Sequence, residues 1–395
     1  MTGRATCFIN GRSLPRERHL MRRVKASFST NVQGGVYQVV DGDKLAREWT
    51  PSLRFLVLVQ SACDQEQAER LASIEAGNVG WVVSDGLNDG DVVTVQAARS
   101  DAHVEHRPAD IHHSLLLTNR CNSYCLMCSQ PPTRQDDSWL AEQAITVVRH
   151  MRTSPAVLGL SGGEPLLLGP DLRRVLTCID EQHPETAVEI LTNGRLLANE
   201  TLASSLLLDL PPMVSWLVPL YGHADFVHDF VVQTPGAFDE TIAGLLTLQE
   251  HRQPIQLRVV LIEPVLRILT ELCAFVGRNL PFVREVALMA CEPIGFALAN
   301  RSQCAVDLID WAEVLSQSTR ILRRYRVPFL FMNAPLCALP RALWPSAHKS
   351  ISDWKNVYPA ECSKCLVRDR CSGLFAWHES GWQPAKIQAI EEDIT

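Results

Sequence analysis

The sequence contains no apolar run near the roughly 20 residues that a membrane-spanning helix requires. Its basic start (Arg12, Arg16, Arg18, Arg22, Arg23 and Lys25) is not followed by the apolar core of a signal peptide, so no export signal is expected there. A uniformly basic surface is missing too. The 44 Asp and Glu outnumber the 37 Lys and Arg, and a net charge of −7 argues against a general nucleic-acid binder. Internal repeats and low-complexity tracts are absent, which excludes solenoid and fibrous architectures. What remains is an ordinary globular composition, 46% apolar and 21% charged over 395 residues, enough for two or three domains without disulfide staples. These absences point to a cytoplasmic chain with neither membrane nor nucleic acid as partner. The basic start reads as a solvated segment, with a contact to an acidic peptide or nucleic acid as the alternative.

The 13 cysteines are odd in number and unevenly spread: three fall within 121–128 and three more within 362–371. Without an export signal, such crowding favours metal ligation over disulfides. The rhythm of the chain divides it into three. Residues 1–108 alternate Gly- and Asp-rich turns with short Val- and Leu-rich runs such as Phe55–Val59 and Val92–Val95, which predicts a mixed β domain with one helix near 64–76. Its histidines near residue 106 read as surface or linker residues. Residues 109–325 alternate short apolar runs with helical patterns. Strands are expected at 114–117, 157–160, 188–191, 214–218, 257–262 and 286–289, a βα alternation that predicts an α/β fold: a partial (β/α)6, TIM-like barrel with its chemistry on the loops after the strands. Residues 326–395, dense in Pro, Trp and Cys, read as a small metal-organised module.

Cys121, Cys125 and Cys128 directly follow the first strand of the barrel, with the spacing Cys-x3-Cys-x2-Cys. Three thiolates on one short loop suit three corners of a 4Fe–4S cube and leave one iron open for chemistry. Gly162-Gly163-Glu164-Pro165 ends the second strand, where glycines permit close backbone approach and an acid can accept from an ammonium group. Together these motifs resemble the radical SAM superfamily. That resemblance implies that the three cysteines hold the cluster, that the open iron chelates S-adenosylmethionine (SAM), and that Gly162, Gly163 and Glu164 cradle its amino group. Met127 stands where many relatives place an aromatic near the adenine. Asn193, in Thr192-Asn193-Gly194, is either a turn residue or ligand-facing. Ser215 and Arg258 match positions that contact ribose and carboxylate, with an internal salt bridge as the alternative for Arg258. Tyr221, His223 and Asp225 fall on the expected rim of the site.

Cys362-x2-Cys365-x5-Cys371, with Cys337 upstream, supplies four thiolates for a second metal site. It resembles the twitch and SPASM extensions that carry auxiliary 4Fe–4S clusters; structural zinc is the alternative. Longer stretches (115–132, 286–289 with Glu292-Pro293, 337–345 and 351–356) resemble the His-Xaa-Ser system radical SAM maturase family, its C-type member. This implies a peptide or small protein with His-Xaa-Ser repeats as substrate, a second radical SAM maturase as companion, and a reductant such as flavodoxin or ferredoxin. The N-terminal domain is then a candidate for peptide or partner binding. The rival readings are maturation of another enzyme or of a cofactor precursor, and a non-catalytic iron–sulfur scaffold. Cys178 and Cys273 read as small core residues. No role is assigned to Cys7, Cys63, Cys291 or Cys304.

Overall fold

The computed structural model describes residues 22–60, 62–74, 78–96, 101–211, 213–352, 354–379, 381–384 and 386–392. Cys7, Arg12, Arg16 and Arg18 lie outside them. Strands β1 (Arg22–Lys25), β2 (Ser27–Phe28), β3 (Gly35–Asp41), β4 (Phe55–Leu58), β5 (Val79–Val83), β6 (Val92–Val95) and β7 (Asp101–His106) form one sheet in the order β1-β7-β6-β3-β4-β5-β2. Only Ala26 separates β1 from β2, yet these strands occupy opposite ends of that order. The sheet must therefore curl until one bent strand closes it, pairing with β7 through Arg22–Lys25 and with β5 through Ser27–Phe28. Strand alternation sorts the side chains into two layers. Tyr37, Val39, Leu56 and Leu58 form the inner cluster, whereas Val40, Phe55 and Val57 pack outward on Leu45 and Ala68.

The histidines near residue 106 are not at the surface: His103 is 6% and His106 2% exposed. His106 is the last residue of β7 and pairs with Val92, so it enters with the strand. Arg22 and Arg23 of the basic start face Asp110 and Asp101 at 3.9 and 3.3 Å.

The second sheet contains β8 (His113–Leu116), β9 (Val157–Ser161), β10 (Ala187–Leu191), β11 (Val214–Pro219), β12 (Ile255–Leu261), β13 (Glu285–Ala290) and β14 (Phe329–Met332). All pairs are parallel and the order is sequential. Right-handed crossovers in sequential order put the helices on one face, leaving the other to line a hollow. Strand β12 shows both faces. Ile255, Leu257, Val259 and Leu261 are buried, while Gln256, Arg258 and Val260 between them are partly open. The helices present matching stripes; on Trp139–His150 the buried apolar residues are Leu140, Ala141, Ala144, Ile145, Val147 and Val148.

The sheet has seven strands where six were expected. The extra one, β14, comes from a segment assigned on sequence to the C-terminal module; its apolar run aligns with Val286–Met289. The sheet does not close on itself, since β8 and β14 remain its edges. The C-terminal chain lies across that seam. Ala347 bridges to Phe331 of β14, and Ser352, Trp354 and Lys355 share a cavity with His113 and Ser114 of β8. The N-terminal domain docks through Arg152, which pairs with Glu48 at 2.8 Å and Asp89 at 3.0 Å, and through the Arg54 N–H on His150 Nε2 at 3.1 Å.

Candidate functional site

The strand β8 ladder continues past its own end. Leu117 N–H donates to Ser161, Gly163 N–H to the Thr118 carbonyl at 2.7 Å, and Glu164 N–H to the Arg120 carbonyl at 2.8 Å. These bonds lay the three-cysteine loop directly on the Gly-Gly loop. A Cβ on Gly163 would stand 2.1 Å from the Arg120 oxygen, and one on Gly162 2.4 Å from the Thr118 oxygen. Neither glycine has a positive φ. Space against the neighbouring backbone, not unusual torsion, is what excludes a side chain here.

The far side of the loop is fastened as well. Tyr124 and Leu126 N–H groups donate to Val232 and Val231 at the end of the helix Asp225–Val232, and Phe296 N–H donates to the Cys128 carbonyl at 2.9 Å. Asn300 Nδ2 donates to the Leu126 carbonyl at 2.9 Å. Arg195, unnoticed in the sequence, donates to the Asn122 carbonyl at 2.6 Å and to Ser123 Oγ at 3.0 Å, while Glu240 holds its other side at 2.6 Å. The Asn193 side chain donates to Asn122 Oδ1 at 2.6 Å. The signal for Arg195 was its place two residues after a turn at a strand end; the contact itself spans more than 70 residues.

Glu164 is fully buried. Its carboxylate accepts from Leu166 N–H, Thr192 Oγ1 and Asn193 N–H at 2.9, 2.6 and 2.6 Å. Burial raises its pKa and these donors oppose the rise. The acid thus ties the end of β9 to the end of β10.

Burial dominates the thiols also. The Cys121 pKa is pushed up to about 11 by burial and then by the Glu164 charge, and that of Cys128 to about 12 by burial. Cys125 rises further, through burial and then the neighbouring charges of Cys128 and Cys121. Arg195 pulls the other way at Cys121 and Cys125. Three half-buried thiols sharing one loop, with an arginine as counter-charge, form a donor set that suits a cationic metal group. Among the described residues, no three Cys, His, Asp or Glu side chains already surround one point as a closed metal site.

Tyr221, beyond β11, is 6% exposed and stacks on His228 at 5.9 Å. Burial raises its pKa, then the charges of Cys125, Cys128 and Cys291, with Arg258 opposing. Arg258 hydrogen-bonds Gln256 at 3.0 Å; burial lowers its pKa, against the pull of Glu189, Tyr221 and Glu285. Ser215 sits beside Glu189 in register. Met127 is in the main apolar core. His223 and Asp225 are not gathered to the thiols: His223 lies against the Phe226 ring and lines a cleft with Glu271 and Arg278, and Asp225 accepts from Phe226 N–H.

Cys337, Cys362, Cys365 and Cys371 line one cavity with Tyr358 and Val367. Cys371 Sγ accepts from Leu336 and Gly373 N–H at 3.3 and 3.4 Å, donors that suit a thiolate. Burial and the mutual charges of the four raise Cys337 and Cys362. Cys178 and Cys273 are buried in helices. Cys291 and Cys304 are buried together beside the first loop, an arrangement that no spacing in the sequence announces.

Residues 115–268 match the family model of the Radical SAM superfamily. No curated protein matches. Among solved structures the chain is similar to Streptococcus suis SuiB bound to S-adenosylmethionine, at 14% identity and a TM-score of 0.45 over 55% of this chain and 49% of that one. It is similar to native anSMEcpe with bound AdoMet and a Cp18Cys peptide (16%, 0.43, 55% and 62%). It is similar as well to a radical SAM methyltransferase from Sphaerobacter thermophilus (17%, 0.43, 62% and 75%). The chain spans about half the length of SuiB. The family match starts within the strand that feeds the three-cysteine loop and runs past β12.

Proposed function

We propose that this chain is a radical SAM enzyme that modifies a ribosomally made peptide or small protein carrying His-Xaa-Ser repeats. The observation that supports the radical chemistry best is the three-thiol loop, laid on the Gly-Gly loop at the C-terminal rim of a parallel sheet. The choice of substrate rests on the sequence resemblance of residues 115–132, 286–293, 337–345 and 351–356. A 4Fe–4S cluster held by Cys121, Cys125 and Cys128 supplies one electron to SAM and so a 5′-deoxyadenosyl radical. The chain's own residues position that exchange. Gly162 and Gly163 keep the floor low enough for the methionine amino group. Glu164 acts through Thr192 and Asn193, which it fixes at the rim. Ser215 and Arg258 would suit ribose and carboxylate, with Arg258 hydrogen-bonded to Gln256 and within the influence of the Glu189 and Glu285 charges. With its side chain in the core, Met127 offers its backbone to the adenine.

Cys337, Cys362, Cys365 and Cys371 hold an auxiliary 4Fe–4S cluster in this reading, with structural zinc as the alternative. A flavodoxin or ferredoxin serves as reductant in the cytoplasm, a second radical SAM maturase as companion, and the N-terminal domain as peptide or partner site. The test is iron, sulfide and zinc per chain after anaerobic reconstitution, for the wild type and a Cys121, Cys125, Cys128→Ala triple variant. About eight irons falling to about four is the expected result. About four irons plus one zinc would make the C-terminal site structural. Iron unchanged by the triple substitution overturns the proposal. Absence of 5′-deoxyadenosine under reducing conditions would favour a scaffold, and a mass change on a His-Xaa-Ser peptide separates this substrate from an enzyme or cofactor precursor.

A further inference from the structure

Three distant stretches of chain line one cavity on the seam of the parallel sheet. Arg22 comes from β1, His106 and His113 from β7 and β8, and Trp354 and Lys355 from the C-terminal segment. None belongs to either cysteine site. His106 is 2% exposed, and neither of its ring nitrogens has a hydrogen-bond partner. A neutral imidazole carries one N–H donor and one acceptor nitrogen, and leaving both unmade inside a protein is costly. Burial keeps this imidazole neutral, its pKa pulled down to about 3, with His113 and His183 acting in the same direction. The ring lies tilted against that of His113, centroids 4.7 Å apart, a contact that provides no hydrogen bond.

Among the residues that line the cavity, the cations Arg22, Arg107 and Lys355 stand beside the acids Glu105 and Asp110. Glu105 accepts from Gln143 at 3.0 Å, and Asp110 faces Arg22 at a long 3.9 Å. Arg107 is taken up by Asp91 at 2.6 Å. Lys355 is half-buried; burial lowers its pKa against the pull of the Glu292 charge, and its ammonium lies over the Trp354 ring at 5.2 Å.

We propose that this cavity binds a small oxyanion, a phosphate or carboxylate group, through His106, Lys355 and Arg22. The oxyanion accepts from the imidazole N–H, the ammonium and the guanidinium. Because its ligands come from the N-terminal domain and the C-terminal segment, a bound anion joins two distant parts of the chain at one point.

The test is thermal unfolding of the full-length, iron-loaded protein in sodium phosphate and in sodium chloride at equal ionic strength. Anything that binds only the folded state raises the midpoint along a saturation curve. Phosphate is expected to do so and chloride not. His106→Phe fills the imidazole space without its nitrogens, and Lys355→Met removes the ammonium alone. Each should weaken the apparent phosphate affinity at least tenfold with iron content unchanged; if the first variant does not fold, the second decides. Equal effects of phosphate and chloride, or a wild-type phosphate response in Lys355→Met, overturn the proposal. A short peptide with a free C-terminal carboxylate, run against its amide, distinguishes the source. Competition by the acid alone supports a chain end as the natural occupant, and competition by neither supports a free anion.

Discussion

Arg195 holds the cysteine loop by its own backbone. The guanidinium reaches Asn122 and Ser123, and Glu240 fixes its far side. Arg195→Ala should therefore loosen the loop, so that iron is lost on brief air exposure and 5′-deoxyadenosine formation slows by about tenfold or more, the scale of one lost charged hydrogen-bond pair. Arg195→Lys keeps charge but not the fork, and should recover only part of the loss. Gly163→Ala is a steric test. Its methyl would meet the Arg120 oxygen at 2.1 Å, and overpacking of this kind costs about 1–3 kcal/mol, readable in chemical unfolding. His228 gives a pH signature. Its pKa is pulled down to about 4 by burial, below the roughly 6.5 of an unfolded histidine. The folded state favours the neutral ring, so the stabilising contribution is complete above pH 6.5 and is lost as pH falls through 4. The group can contribute about 3 kcal/mol over that window, and His228→Asn, which keeps an acceptor for Tyr221 N–H, should flatten that part of the curve. The cysteines themselves were legible in sequence because their spacing is local. Arg195, Asn300 and the Cys291–Cys304 pair were not, because each contact crosses to another strand or loop. Glu164 was legible as an important acid, yet its three donors come from atoms whose convergence only the fold provides.

Strand β12 explains why the barrel could be read and where reading stopped. Its strict alternation of buried and open residues is a period of two that the sequence itself carries. Leu257→Ala should cost about 2–5 kcal/mol, since the side chain has no exposed surface. Gln256→Ala on the other face should cost well under that. Comparing the two by urea unfolding checks which face is the packed one; equal losses would contradict the assignment. The last strand was missed for a physical reason. Phe329–Met332 has no alternation, and the helix Ala312–Arg324 before it ends in a polar turn with positive φ at Arg326, which resembles the end of a domain. Only pairing with β13 identifies it as a strand. A similar blindness placed the histidines of β7 outside. Alternation inside a curled sheet buries both faces at different depths, so polar residues no longer mark the solvent side.

At the scale of the molecule, the three regions differ in what organises them. The parallel sheet has a continuous apolar core, whereas the C-terminal module has a small one, built around Leu336, Val367 and Ile390 beside its cysteines. On the proposed reading, the module leans on the metal its cysteines would hold. Cys362→Ser with Cys365→Ser should lower the unfolding temperature of the whole chain and release the C-terminal segment to proteases before the parallel sheet melts, whether iron–sulfur or zinc is lost. If proteolysis of that segment were unchanged, its order would come from packing alone. The N-terminal sheet has a different dependence, set by the bent strand from Arg22 to Phe28. With partners on both sides, it works like the zip of a sleeve: undoing one strand bares backbone donors and acceptors along β5 and β7 at once. A chain beginning at Ser29 should therefore self-associate through two new sticky borders, while the intact sleeve presents none there to a visiting peptide strand. A guest held by this domain must rest on its outer wall or in its turns.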